Sequence, residues 1–169
     1  MTSIVVPLLN GVSLVAAFVL LVRTVGRRHA VPLHAGMLLV APLVYVWFST
    51  RAGDWSGLGI ELIGTAIFGA AAFLGLCRSS ARILGVGWLL HPLWDVALHT
   101  VTSGAAYTPE GYVVACIGFD LLLGGLLLSG AAGIPAQLRR QRRVGQRRMG
   151  FDQRTTRGEV APAHTAEVA

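Results

Sequence analysis

Five apolar runs of nearly equal length divide this 169-residue chain, and their length decides what it can become. They cover about residues 4–22, 31–49, 58–77, 83–102 and 112–134, with short polar breaks between them. About 20 residues of helix are needed to cross ~30 Å of hydrocarbon. In that medium only helices or closed barrels satisfy their own backbone groups. The spacing therefore predicts an all-α fold, a polytopic membrane bundle of five transmembrane helices. Composition agrees: 54% of residues are hydrophobic and 13% charged, with a mean hydropathy of +0.64. Soluble domains carry about 25% charged residues.

Charge gives the expected orientation. All 14 basic residues are arginine. They cluster at 23–28, at 78–82 and beyond 138, whereas 51–57 holds Arg51 beside Asp54 and 103–111 holds none. The positive-inside rule then puts the N-terminus outside and the C-terminus in the cytoplasm. Trp47, Phe48, Trp55, Tyr107 and Tyr112 fall near the outer interface on this reading, as an aromatic belt does. The first run lacks a basic n-region and is longer than a signal-peptide core, so it is read as a span.

The expected division is a five-helix domain over 1–136 and a basic, largely disordered cytoplasmic tail over 137–169. Arg139, Arg140, Arg142, Arg143, Arg147, Arg148, Arg154 and Arg157 all lie in that tail. A net charge of +6 concentrated there argues for a topology anchor and for contact with anionic lipid headgroups, not for nucleic acid. Gly125, Ser129 and Gly133 show small-xxx-small spacing, read as packing within the bundle, with a homo-oligomer seam as the alternative. Cys77 and Cys116 sit at opposite ends of their spans, too far apart for a disulfide.

The fourth run carries the chemistry. His91, Asp95 and His99 recur every fourth residue, a step of about 40° around a helix, and so share one face. Ionisable groups in hydrocarbon cost roughly 2.5–3.5 kcal/mol each and persist where they have partners and a task. Alternating span directions bring Glu61, Asp120 and Asn10 to a depth similar to that of Asp95 and His91. A water-accessible pocket open to the outside accounts for this coincidence. The alternative is pairwise hydrogen bonding between helices. His34, at the inner end of its span, stands apart. Pro92 removes a backbone bond beside His91 and either opens the helix onto a cavity or makes an ordinary kink. Trp88 and Trp94 are candidate walls for an apolar substrate, although aromatic core packing is the commoner explanation.

Imidazole with carboxylate also suits a divalent metal, zinc, iron or manganese. Eight residues of helix separate His91 from His99 by ~12 Å. An adjacent His/Asp pair completed by Glu61 or Asp120 is therefore the easier ligand set. No phosphate loop, serine nucleophile elbow or cysteine cluster is present.

The segment Gly87-Trp88-Leu89-Leu90-His91, continuing through Trp94-Asp95 to His99, resembles the signature of a family of small bacterial integral membrane proteins. That family is known only as domain of unknown function 6010. The resemblance implies a multi-pass protein of a bacterial cytoplasmic membrane with no assigned activity, and matches its recurring His, Trp and Asp to His91, Trp94, Asp95 and His99.

The expected function is a membrane-embedded enzyme using acid/base or metal-assisted chemistry on a small or lipid-soluble substrate. Asp95 with Glu61 or Asp120 would exchange protons, and His91 and His99 would serve as base or ligand. The alternatives are a small proton-coupled carrier or binding protein, and a structural or partner-binding membrane protein.

Overall fold

Single residues with exceptional backbone geometry separate long helices in the computed structural model, which describes residues 2–131. Helix α1 (Thr2–Val25) meets α2 (Arg27–Ala52) across one residue, Gly26, at φ 99°. Only glycine takes that conformation without strain. Helix α3 (Trp55–Cys77) starts from Asp54, whose carboxylate accepts the backbone N–H groups of Ser56 and Gly57. Helix α4 (Ala81–Val101) is capped by the Ser80 hydroxyl. A single turn, α5 (Gly104–Tyr107), precedes α6 (Glu110–Ser129), which begins after Pro109. No strand occurs among the described residues.

All five expected runs are helical. The last stops at Ser129, short of residue 134, because Gly130 turns left-handed at φ 80° and ends the ladder. The α5 turn was not expected. Helix α4 runs unbroken through Pro92. The basic tail and Gly133 lie outside the described residues, which all belong to one unit, Met1–Ile134.

Among the described residues four helices are long and apolar enough to cross a membrane: Ile4–Val25, Arg28–Ala52, Trp55–Cys77 and Glu110–Ser129. Helix α4, with Arg82, His91, Asp95 and His99, is not among them. Its position accounts for that composition. It packs against α3 and α6 and touches α2 and α5, so His91 and Asp95 face protein while Arg82 stays exposed near its start. The main contacts run α1 to α6, α6 to α4, α4 to α3 and α3 to α2, while α1 and α2 meet over a small area.

Apolar side chains gain little by leaving lipid for protein, so close packing has to hold such a bundle. Gly11 supplies it between α1 and α6. A Cβ there would fall 2.0 Å from the Ala115 carbonyl oxygen. Gly118 receives Leu8 in the same seam, and Gly124 lets α6 reach Leu89 and the Gly85 backbone of α4. Gly125 and Ser129 are exposed, and a Cβ on Gly125 meets nothing within 4 Å. The expectation that this stripe packs inside the bundle is corrected: Gly118 and Gly124 occupy the inward phase of α6. Trp88, Phe68, Phe119, Leu38, Leu84 and Leu123 fill the centre.

Gly11→Ala is therefore expected to destabilise the purified chain by about 1–3 kcal/mol, because a backbone oxygen cannot step aside. Gly125→Ala is expected to leave it unchanged or raise stability by under about 1 kcal/mol. Thermal unfolding in detergent reads both, and equal effects would remove the α1–α6 seam from this account.

Candidate functional site

Three buried ionisable side chains meet where α4 crosses α6. His91 and Asp95 lie one turn apart on α4 and Asp120 faces them from α6, all essentially inaccessible to solvent. His91 Nδ1 lies 2.9 Å from Asp120 Oδ2 and 3.5 Å from Asp95 Oδ2. A carboxylate can only accept, so Nδ1 carries the hydrogen and donates to Asp120. In the neutral ring Nε2 then holds the lone pair, and Nε2 has no hydrogen-bond partner among the described residues. Neither oxygen of Asp95 accepts a bond of good geometry, although the Tyr45 hydroxyl stands beside it. Most buried polar groups in folded proteins are bonded, so this concentration of open donors and acceptors marks a site.

Aromatic rings wall the imidazole. Phe68 of α3 meets it edge-on at 4.7 Å, Tyr45 of α2 lies at 6.1 Å and Trp88 of α4 at 6.5 Å. Four helices thus contribute to one small polar centre in an apolar surround.

Glu61 forms a second polar station on α3. The Tyr107 hydroxyl donates to Glu61 Oε1 at 2.8 Å, and the Trp94 indole stands beside the same carboxyl. Two glycines admit these partners. A Cβ on Gly57 would fall 2.6 Å from the Tyr107 ring, and one on Gly64 would fall 2.7 Å from the Trp94 indole nitrogen. Burial, and then the neighbouring Glu61 carboxylate, hold the Tyr107 phenol protonated well above its usual range. The loop bearing Tyr107 is anchored by Ser103, whose hydroxyl donates to Asp54 Oδ2.

The remaining candidates divide. His91, Asp95 and Asp120 come together, and Glu61 lies near enough to feel their charges. Trp88 lies against the His91 ring, and Trp94 meets Phe68, the ring that packs on His91. His99 does not join it; its Nδ1 lies 3.1 Å from the Asp95 backbone oxygen on its own helix. Asn10 is exposed on α1, one position away from the buried Gly11. His34 is buried with its ring edge-on to Phe18 at 5.1 Å. Sequence reasoning missed Tyr45 and assigned Tyr107 and Tyr112 to an interfacial belt. The signal for Tyr45 was a phenol in the middle of an apolar run, which needs a polar neighbour once buried.

One atom from each of His91, Asp95 and Asp120 can be chosen so that all three lie within 4.8 Å of one another. Ligands bound at about 2.0–2.1 Å lie roughly 3.0–3.4 Å apart on a tetrahedral or octahedral shell. The 2.9 and 3.5 Å separations from Nδ1 are close to that range, so the trio could hold a divalent cation once Nδ1 gives up its hydrogen.

The sequence model of a family of unknown function, DUF6010, matches residues 5–133, and the chain belongs to that family. No curated protein and no solved structure matches it. The resemblance carried by the His91 helix thus extends over every described helix.

Asp54 gives a pH test of the loop that carries Tyr107. Hydrogen bonds from Gly57, Ser103 and Ser56 lower its carboxyl from 3.8 to about 2. Its stabilising contribution is complete above about pH 4 and disappears as the pH falls toward about 2. Asp54→Asn keeps a capping acceptor without a titrating charge and is expected to flatten this stretch of the pH–stability profile. A profile identical to that of the parent chain would refute the assignment.

Proposed function

Membership of a family of unknown function assigns no activity, so from the site itself we propose that the chain is an integral membrane enzyme with a His91–Asp95–Asp120 acid/base centre. One observation carries this reading. A single imidazole is oriented by one carboxylate, faces a second, and keeps Nε2 open. Asp120 holds the ring in one tautomer and stabilises the imidazolium, the part a carboxylate plays behind a catalytic histidine. Nε2 takes a proton from the substrate and returns it. Asp95, on the same helix, is the second group able to exchange a proton. Glu61 with Tyr107 closes the neighbouring side.

Helix α4 is the fifth span in this proposal, carried by its neighbours, with the N-terminus outside and the arginine tail in the cytoplasm of a bacterial cell. The tail would rest on anionic headgroups there. The 1–136 and 137–169 division belongs to the same proposal.

A second reading is favoured by the ligand-like spacing of the trio: a divalent cation held by His91, Asp95 and Asp120. Three protein ligands leave a coordination position for water or substrate, the pattern of catalytic rather than structural sites. The ion would supply Lewis-acid chemistry.

Function and scaffold predict opposite stability effects. A reactive centre keeps polar groups at the expense of stability. Asp95→Leu in the presence of a chelator is therefore expected to raise stability by about 1–3 kcal/mol, because it removes poorly bonded carboxylate oxygens. A loss of similar size would show that Asp95 joins helices and would end the enzyme reading. Calorimetric titration of the detergent-purified chain with Zn²⁺ or Mn²⁺ tests the metal. Binding that weakens by about 100-fold or more in His91→Ala supports it; equal binding by both proteins rejects it.

A further inference from the structure

The seam between α1 and α2 is not filled. A crevice of about 400 Å³ opens there, within the range of small-molecule sites. Leu14 and Leu21 of α1 and Val40 and Val44 of α2 line it, and its deep wall includes Trp88 and Asp120. Asp120 is the carboxylate that orients His91, so the crevice reaches the acid/base centre. Its mouth is continuous with exposed apolar surface: Leu14 is 59% exposed, Leu21 48% and Val40 47%. In a bilayer that surface is in contact with acyl chains. The opening thus leads sideways into the lipid rather than along the helix axes.

Of the polar side chains on the wall, Trp88 and Asp120 specify what can enter. The Trp88 indole N–H is fully buried and has no hydrogen-bond partner among the described residues. Asp120 gives Oδ2 to His91, which leaves Oδ1 as the acceptor this wall residue has for a ligand. Tyr112 and Cys116 also line the wall. A hydroxyl accepts from the indole and donates to the carboxylate at once. A carboxylate or phosphate headgroup cannot donate when ionised and is repelled by Asp120, while an ammonium cannot accept. No guanidinium lines the crevice to offset that repulsion.

We propose that the α1–α2 crevice admits a neutral hydroxyl-bearing lipid from the bilayer, its chain between the two helices and its hydroxyl between Trp88 Nε1 and Asp120. The proposal rests on the reading of His91, Asp95 and Asp120 as the reactive centre and names its substrate class. The hydroxyl proton then lies beside the carboxylate that orients His91, while the apolar lining selects for the chain.

The test uses the full chain in nanodiscs and a hexadecanol carrying a diazirine on its chain. Cross-links are expected on peptides containing Ala17, Val40, Ala41 or Val44. Unlabelled hexadecanol is expected to compete, and hexadecanoate to compete at least about tenfold less well. Ala41→Trp or Ala17→Trp fills the crevice and is expected to abolish this labelling. Trp88→Phe fills nothing and is expected to weaken competition by about fivefold, the effect of one lost hydrogen bond. Even labelling of outward residues such as Leu62 and Leu93, insensitive to these variants, overturns the proposal. Equal competition by hexadecanoate overturns it as well. Reading Asp95→Leu stability beside labelling of the parent chain separates the two readings: a stability gain without crevice labelling means that the lipid proposal alone has failed.

Discussion

An imidazole shared between two carboxylates inside a mostly apolar bundle constrains the rest of this structure. His91 cannot be buried with Asp95 and Asp120 unless α4 and α6 approach closely, and that approach depends on Gly85 and Gly124 at their crossing. The rings around the histidine follow from the same requirement. Phe68, Tyr45 and Trp88 exclude water from most of its surface, which strengthens each electrostatic contact and raises the cost of each unmade one. Helix α4, a long helix without a membrane-length apolar window, is consequently in contact with four others, α2, α3, α5 and α6.

Length and punctuation made the helices legible from the sequence. Apolar runs near 20 residues, broken by Gly26, Gly53 and the Asp54 cap, map onto α1, α2 and α3 with ends shifted by a few residues. The last boundary was misplaced because Gly130 sits within a run that stays apolar to residue 134, and hydropathy does not register a left-handed turn. The α5 turn carries no apolar period, so its four residues gave no signal.

The candidate site was legible for a different reason: charge within an apolar run is rare enough to be informative, whatever helix carries it. His91, Asp95, Asp120 and Glu61 were selected in this way and are all buried. The same reasoning overreached at His99 and Asn10, because a shared depth fixes height along a helix but not the direction a side chain takes around it. His99 turns back to its own backbone, and Asn10 is on the exposed side of α1. Tyr45 escaped notice and Tyr107 was read only as a belt residue, because contact geometry alone distinguishes an interfacial ring from one whose hydroxyl reaches a buried carboxyl.

The composition of α4 also bears on how the chain is assembled. A segment with an aspartate and two histidines, beside a helix whose own aspartate it must meet, gains little by entering hydrocarbon alone. In a bilayer its residence becomes favourable once α6 offers Asp120 and α3 offers Phe68 and Gly64, so insertion and docking are coupled instead of successive. On the five-span arrangement proposed above, biogenesis then turns on synthesis continuing past residue 120 before the fourth segment is secured, and a nascent chain stalled earlier would hold that segment only weakly.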